Sequence, residues 1–380
     1  MEKAAKGRQS NIELLRILAM MGIIIHHITL HCIFIQLTDV NSINQLGNAF
    51  FCTPQFYPEL WLVDIGAFLG SVGDALFILI SGYFLVEKET LHISKTTFKL
   101  VSQSLFAAFM VVTINLIYHR AGLSLNDTFL PGIEAMVGPV RTEFFNKSFW
   151  YIGYYYCIFI FAAVFLNAFL RKLTRQQYLA FVLALFGIIE FSFSRELISG
   201  ISGNLSTFII GVFLFSLGGY IKKYDPFSKI KTWLLPVLII LTFAGICYST
   251  YYSRVLDIER YIRSNSDISY IQSTYVFGIY NILVIINVIS VLELFSRIKI
   301  KTNRIINFLG SATFMCYLIH DNELFYALWN KYDWIKALCF SPIEYTCNLF
   351  SLSLITFLAG VIAFIVFQMI NIFIGKIHSK

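Results

Sequence analysis

A helix needs about 20 predominantly apolar residues to cross the hydrocarbon core of a bilayer, and stretches of that length recur from one end of this chain to the other. They fall at about 12–36, 66–86, 98–118, 149–170, 177–194, 204–222, 233–252, 271–296, 306–329 and 348–375. Only 13% of the 380 residues are charged, against roughly 25% in a soluble domain, too few to cover a water-facing surface of this size. The 38 phenylalanines suit a lipid-facing one. The expected fold class is therefore all-α, a polytopic integral membrane protein of about ten transmembrane helices with the lipid bilayer as its main partner. It reads as a single domain over 1–380, with a cytoplasmic segment at 1–11, the helical core at 12–375 and a tail at 376–380.

Charge orients these spans, because cytoplasmic loops carry an excess of Lys and Arg. One alternating set of segments includes Lys3, Lys6 and Arg8, then Lys88, Lys95 and Lys99, then Arg171, Lys172 and Arg175. Followed to the C-terminus, this set holds about twice as many basic residues as the intervening set. The bias predicts both termini in the cytoplasm. The fifth run is short and contains Glu190; were it not a crossing, every later loop would change sides. Trp61, Trp150, Tyr151, Trp329 and Trp334 stand near span ends, as an interfacial aromatic belt should.

The first run is too long for a secretory signal and no small-residue cleavage site follows it, so it is expected to remain in the chain. The expected outer loops, about 119–148, 253–270 and 330–347, are each too short for a core of their own. The 7 cysteines show no CxxC spacing. Cys52, Cys339 and Cys347 fall on the outer side, where one disulfide has room, but their spacing is not that of a disulfide framework. The net charge of +7 sits in short blocks between apolar runs rather than in a stripe, which argues against nucleic acid as a partner.

Ionisable side chains inside spans are expensive and mark functional sites. Arg16 and His27 both lie in the first run. Eleven residues apart, they share a helix face to within about 20° and stand about 16 Å apart along the axis. His26 points elsewhere, and His31 lies one turn above His27. Arg16 also reads as a snorkelling anchor near the inner surface. His27 and His31 have the i, i+4 spacing of metal ligands, yet no further cluster of His, Cys or carboxylates joins them, so no metal is expected. The second run adds Asp74 and Ser81 on a common face. Because it runs inward, the expected levels pair Arg16 with Ser81, and His27 with Asp74. A carboxylate beside an imidazole orients it and raises its basicity. Ser81-Gly82 reads equally as a small-residue packing patch, and Asp74 as a helix-end residue facing a watery vestibule. A third locus is Tyr317-Leu318-Ile319-His320-Asp321-Asn322. There His320 lies about as deep in its helix as His27 in its own; a buried structural histidine is the plainer reading.

Four of these segments together resemble the membrane acyltransferase 3 family. They are Arg16-x10-His27 following Gln9-Ser10-Asn11-Ile12-Glu13; Gly73-Asp74-Ala75-Leu76-Phe77-Ile78-Leu79-Ile80-Ser81-Gly82-Tyr83-Phe84; Phe149-Trp150-Tyr151-Ile152-Gly153-Tyr154; and Phe314-Met315-Cys316-Tyr317-Leu318-Ile319-His320. The resemblance covers nearly the whole chain and implies a ten-helix core. It also implies an enzyme that moves an acyl group, usually acetyl, from a cytoplasmic coenzyme A thioester to a hydroxyl of a surface glycan such as capsule, O-antigen, peptidoglycan or exopolysaccharide. Arg16 and His27 would be the catalytic pair. Acetyl-CoA is then a donor substrate rather than a resident cofactor. Polysaccharide-assembly proteins are candidate partners, and the location is a bacterial cytoplasmic membrane. Many members carry Arg-x-x-Arg after the second span, where this chain has only Lys95 and Lys99. The esterase-like outer domain of some members is not seen, so final transfer is expected in the membrane domain or on another protein.

That chemistry suits the residues. The phosphates of coenzyme A need cations at the inner face, and Lys88, Lys95, Lys99 and Arg16 are placed for them. Ser81, Trp150, Tyr151 and His320 complete the expected substrate and donor site. A neutral hydroxyl is a poor nucleophile and needs a base. His27 is the candidate, deprotonating the hydroxyl directly or carrying the acetyl group transiently, with Asp74 in support. Arg16 would position the thioester or stabilise the oxyanion. The alternative is a transporter of polysaccharide or lipid-linked sugar. It explains the hydropathy equally well, but not a His and an Asp at matched depth beside a basic inner face, and the related halves with broken helices that many transporters show are not found. A scaffold or sensor without chemistry is a third class.

Overall fold

The computed structural model describes residues 8–38, 59–120, 150–190, 203–264 and 281–378. Lys3, Lys6, Cys52, most of the expected loop at 119–148, the last residues of the loop at 253–270, and the side chains of Trp150 and Glu190 lie outside what is described. Among the described residues there are helices and turns and no strand. In chain order the helices are α1 (Ser10–Ile28), α2 (Phe34–Thr38), α3 (Leu60–Leu85), α4 (Ile93–Arg120), α5 (Trp150–Phe161), α6 (Asn167–Lys172) and α7 (Arg175–Glu190). They continue as α8 (Gly203–Tyr224), α9 (Leu234–Ser264), α10 (Ile282–Arg297), α11 (Arg304–His320), α12 (Glu323–Trp329), α13 (Trp334–Phe340) and α14 (Pro342–His378). A π-helical turn, Thr29–Ile33, joins α1 to α2, and another, Ala162–Leu166, joins α5 to α6.

Among the described residues, 6 helices are long and apolar enough to cross a membrane, built on α1, α3, α4, α5–α6, α9 and α14. α7 is a shorter apolar helix, and α10 and α11 have 16 and 17 residues. The contacts fix relative directions. α1 and α11 run parallel, since Ser10 meets Asn307 at their starts and His27 stacks on His320 at their ends. α3 runs opposite to α1, with Ala67 beside His26 and Gly73 beside Ala19. α5–α6 follows α3, Tyr151 meeting Asp74 and Asn167 meeting Leu85. α9 opposes α3 and α10, and α14 opposes α11.

Three expected boundaries move. The ninth apolar run was expected to continue to 329, but α11 stops at His320. Asn322 breaks it: its side chain accepts from the backbone N–H groups of Leu324 and Phe325 and so starts α12 instead, as Asn at an N-cap does. The outer loop expected at 330–347 is largely helical, as α13 and the first turn of α14, whose leading Pro342 suits a helix start. α9 runs on to Ser264, twelve residues past its apolar part; no Gly or Pro interrupts that segment, and a helix outside lipid need not be apolar.

Glycines set the central spacing. On α3, a Cβ at Gly66, Gly70 or Gly73 would meet Thr29, His26 or Ala19, and on α1 a Cβ at Gly22 would meet Leu69. Small residues at this spacing let two helix backbones approach closely, the usual basis of helix association in lipid. α3 meets α8 in the same way: a Cβ at Gly82 would strike the Phe215 carbonyl, and one at Gly218 the Leu79 carbonyl. Backbone cannot yield as a flexible side chain can. Gly82→Ala is therefore expected to lower stability by about 1–3 kcal/mol, the usual range for overpacking. Gly153→Ala, with nothing within 4 Å among the described residues, should be neutral or slightly stabilising. Thermal unfolding of the detergent-solubilised variants reads both.

The start of α1 is clasped by its neighbours. Ser10 Oγ donates to Asn307 Oδ1 (2.9 Å) and accepts from the Asn303 N–H (2.8 Å), and Asn11 Nδ2 donates to the Phe295 carbonyl (2.8 Å). At the far end Gln36 bridges the Tyr332 carbonyl and the Trp334 N–H. Trp329 and Trp334 are fully buried there, so α12 and α13 form a packed cap over the ends of α1 and α11.

Candidate active site

One face of α1 organises the site. Arg16, Met20 and Ile23 line a cavity of about 330 Å³, and His27 follows one turn beyond Ile23 on that face. Arg8, Arg16 and Lys99 bring positive charge to the wall, with Ser81 beside them. Tyr151 and Tyr317 also line it. Arg16 is fixed by an ion pair with Glu13 (3.0 Å) and packs over the Phe84 ring. Glu13 is buried against Gly310, where a Cβ would collide with its carboxylate. Arg8 donates to the Asn307 carbonyl (3.0 Å) and to Ser311.

Past the tyrosines lies a cluster of histidines. His27 Nδ1 stands 3.5 Å from Asp321 Oδ1, and its ring stacks on that of His320 at 4.7 Å with 13° between planes. His320 is fully buried. Its Nδ1 lies 3.2 Å from the Cys316 carbonyl and 2.7 Å from the Tyr317 carbonyl. Carbonyls only accept, so Nδ1 carries the proton, and in the neutral ring Nε2 holds a lone pair. That Nε2 is buried and has no hydrogen-bond partner among the described residues. His26 turns away and donates from Nδ1 to the Ala67 carbonyl (2.6 Å). Tyr326 donates its hydroxyl to Asp321, on the same oxygen that faces His27. The π turn carries His31, whose ring stacks on Tyr326 at 4.1 Å and meets His27 edge-on at 5.6 Å. π turns recur at functional sites.

The structure therefore brings Arg16, Ser81, Lys99 and Tyr151 to one cavity, and His27 and His320 to one cluster beside it. The carboxylate against His27 is Asp321, not Asp74. The glycine seam sets the register of α3 so that Ala67 lies at the level of His26, which leaves Asp74 lower, next to Gly73 at the level of Ala19 and Ile23. The Asp74 carbonyl accepts from Tyr151 (3.0 Å), and its carboxyl group lies within electrostatic range of Tyr154, Tyr317 and Asp321. Lys88 and Lys95 are exposed and do not line the cavity. Gly82 is the packing contact, while Ser81 donates to its own helix at Phe77 (2.8 Å). Sequence reasoning missed Arg8, Glu13, Tyr317 and Asp321 as site residues. The last two flank His320 in a segment already singled out; spacing along α11 puts Tyr317 one turn below it. Among the described residues no group of three or more His, Cys, Asp or Glu side chains is arranged to hold a metal ion.

Fold and site together define a membrane-embedded helical protein with a histidine–carboxylate centre inside its bundle, next to a cation-lined cavity. A family model described as an acyltransferase domain, that of the acyltransferase 3 family, matches residues 9–371, and the chain belongs to this family of membrane acyltransferases. Membership implies acyltransferase activity. No curated protein and no solved structure matches the chain.

Proposed function

We propose that the protein transfers an acetyl group from cytoplasmic acetyl-CoA to a hydroxyl of a cell-surface polysaccharide or its lipid-linked precursor. It would do so in a bacterial cytoplasmic membrane with ten spans and both termini inside. The observation that carries this reading is the arrangement along α1: a cation-lined cavity and a His–carboxylate pair follow each other on one helix face. The basic clusters and the alternating helix directions support the orientation. Arg8, Arg16 and Lys99 bind the phosphates of the donor, and the pantetheine arm lies along Met20 and Ile23 toward Tyr317. His27 takes the proton of the acceptor hydroxyl. Asp321, aimed at Nδ1, keeps Nε2 free for that proton and stabilises the imidazolium that forms. A transporter needs neither the pair nor the cations.

Purified protein given radiolabelled acetyl-CoA and a polysaccharide acceptor is expected to release free thiol and label the glycan. No thiol release would leave the transporter reading. In the same assay Arg16→Ala should raise KM for acetyl-CoA by about tenfold or more, the size expected when a charge-assisted hydrogen bond is lost, with a smaller change in kcat. A fall in kcat alone would move Arg16 from the phosphates to the reacting carbonyl.

A further inference from the structure

We infer that Tyr317 is a catalytic residue, the hydrogen-bond donor that receives the thioester carbonyl oxygen as it becomes an oxyanion; this rests on the acyl-transfer reading above. Its position comes first. Tyr317 lines the cavity and sits one turn before His320 and Asp321 on α11, so it belongs to the wall shared by the cavity and the histidine cluster. Its ring centroid is 5.6 Å from that of His320 and 5.7 Å from that of Tyr151. A carbonyl carried along α1 past Ile23 reaches Tyr317 before it reaches His27.

Its hydrogen bonding comes second. The Tyr317 hydroxyl is buried and makes no hydrogen bond of full geometry among the described residues; it meets only the backbone of Tyr151, at the first turn of α5. Buried hydroxyls are nearly always paired, and each exception calls for an explanation. Of the other tyrosines of the cavity, Tyr151 donates to the Asp74 carbonyl at 3.0 Å, and Tyr155 faces Ser81, whose own proton goes to the Phe77 carbonyl. His320 is no substitute, because its proton is on Nδ1 and shared between two carbonyls. Tyr317 thus has an uncommitted proton at the junction where the carbonyl arrives.

The acceptor oxygen bonds to the thioester carbon while its proton passes to His27. The carbonyl π pair moves onto oxygen, which the Tyr317 hydroxyl holds without giving up its proton. On collapse the carbon–sulfur bond breaks, its electron pair leaves on sulfur, and the thiolate takes the proton back from His27 to leave as free coenzyme A.

Tyr317→Phe keeps the ring and removes the donor. Its kcat for thiol release is expected to fall about 10²-fold, the scale for deleting one oxyanion donor, with KM for acetyl-CoA within about twofold of the parent. S-ethyl-CoA, which has no carbonyl, should bind parent and variant equally by calorimetry. A Tyr317→Phe enzyme within about threefold of the parent kcat would overturn the assignment and leave acyl transfer standing. Lost S-ethyl-CoA binding would also overturn it, in favour of a structural role. A parent protein that releases no thiol would overturn the acyl-transfer reading and this assignment with it.

Discussion

His27→Ala is expected to leave a protein that inserts and purifies normally but whose kcat for glycan acetylation is about 10³-fold lower, within the range a positioned general base supplies. The fold should tolerate the change. α1 is held by the glycine seam on α3 and by the Ser10 and Asn11 clasp, none of which uses the His27 ring. Donor binding should survive as well, because Arg8, Arg16 and Lys99 lie at the other part of the site. The measurements are glycan labelling and, separately, the affinity for S-ethyl-CoA. Acetylation retained within about tenfold would remove His27 as base or carrier, and His320, stacked on it at 4.7 Å with an Nε2 that has no partner among the described residues, would be the next residue to test.

The second large effect belongs to Asp321. In Asp321→Asn the amide oxygen can still accept from Tyr326 and face His27, so the geometry survives and the charge is lost. The imidazolium then forms without its counter-ion, and kcat should fall about 10²-fold with KM for acetyl-CoA nearly unchanged. Asp321→Ala removes the acceptor too and should approach the loss expected of His27→Ala. The double variant His27→Ala/Asp321→Ala should be no worse than His27→Ala alone, because groups that act as a unit are not additive. Asp74→Asn provides the contrast, since Asp74 meets the tyrosines and its own carbonyl does the bonding. A large loss from Asp74→Asn with a mild one from Asp321→Asn would reverse the pairing.

What the sequence reveals and what it hides divide along physical lines. Hydropathy is a property of single helices, so the all-helical membrane fold was legible, as was the shared face of Arg16 and His27, which needs only the helical repeat. Pairing across helices was not. Residue counts alone put Asp74 level with His27, whereas the register of α3 against α1 depends on which glycines meet which carbonyls, a contact that spacing along one helix does not contain. The end of α11 was hidden for a related reason. Apolar residues continue through Phe325 and Leu328, and the Asn322 cap outweighs them locally. Asp321 was missed as a partner because it follows His320 directly, and in an unbroken helix neighbouring residues diverge by about 100°; the break at Asp321 lets the carboxylate turn back toward His27.

On the acyl-transfer reading, the common face of Arg16, Met20, Ile23 and His27 would also work as a ruler. The rise of α1 sets about 16 Å between the first and last of them, and the clasp at Ser10 with the cap over α2 keeps that scale from sliding. A donor held as proposed would then be measured by the length between its anionic head and its reactive carbon before its acyl group is felt at all. Small activated acetyl compounds that lack such an arm would have nothing to anchor at the cationic mark and would be left out of register with His27, however reactive they are. Selection of this kind would guard a buried base in a membrane against wasteful hydrolysis of whatever acyl compound happens to diffuse in.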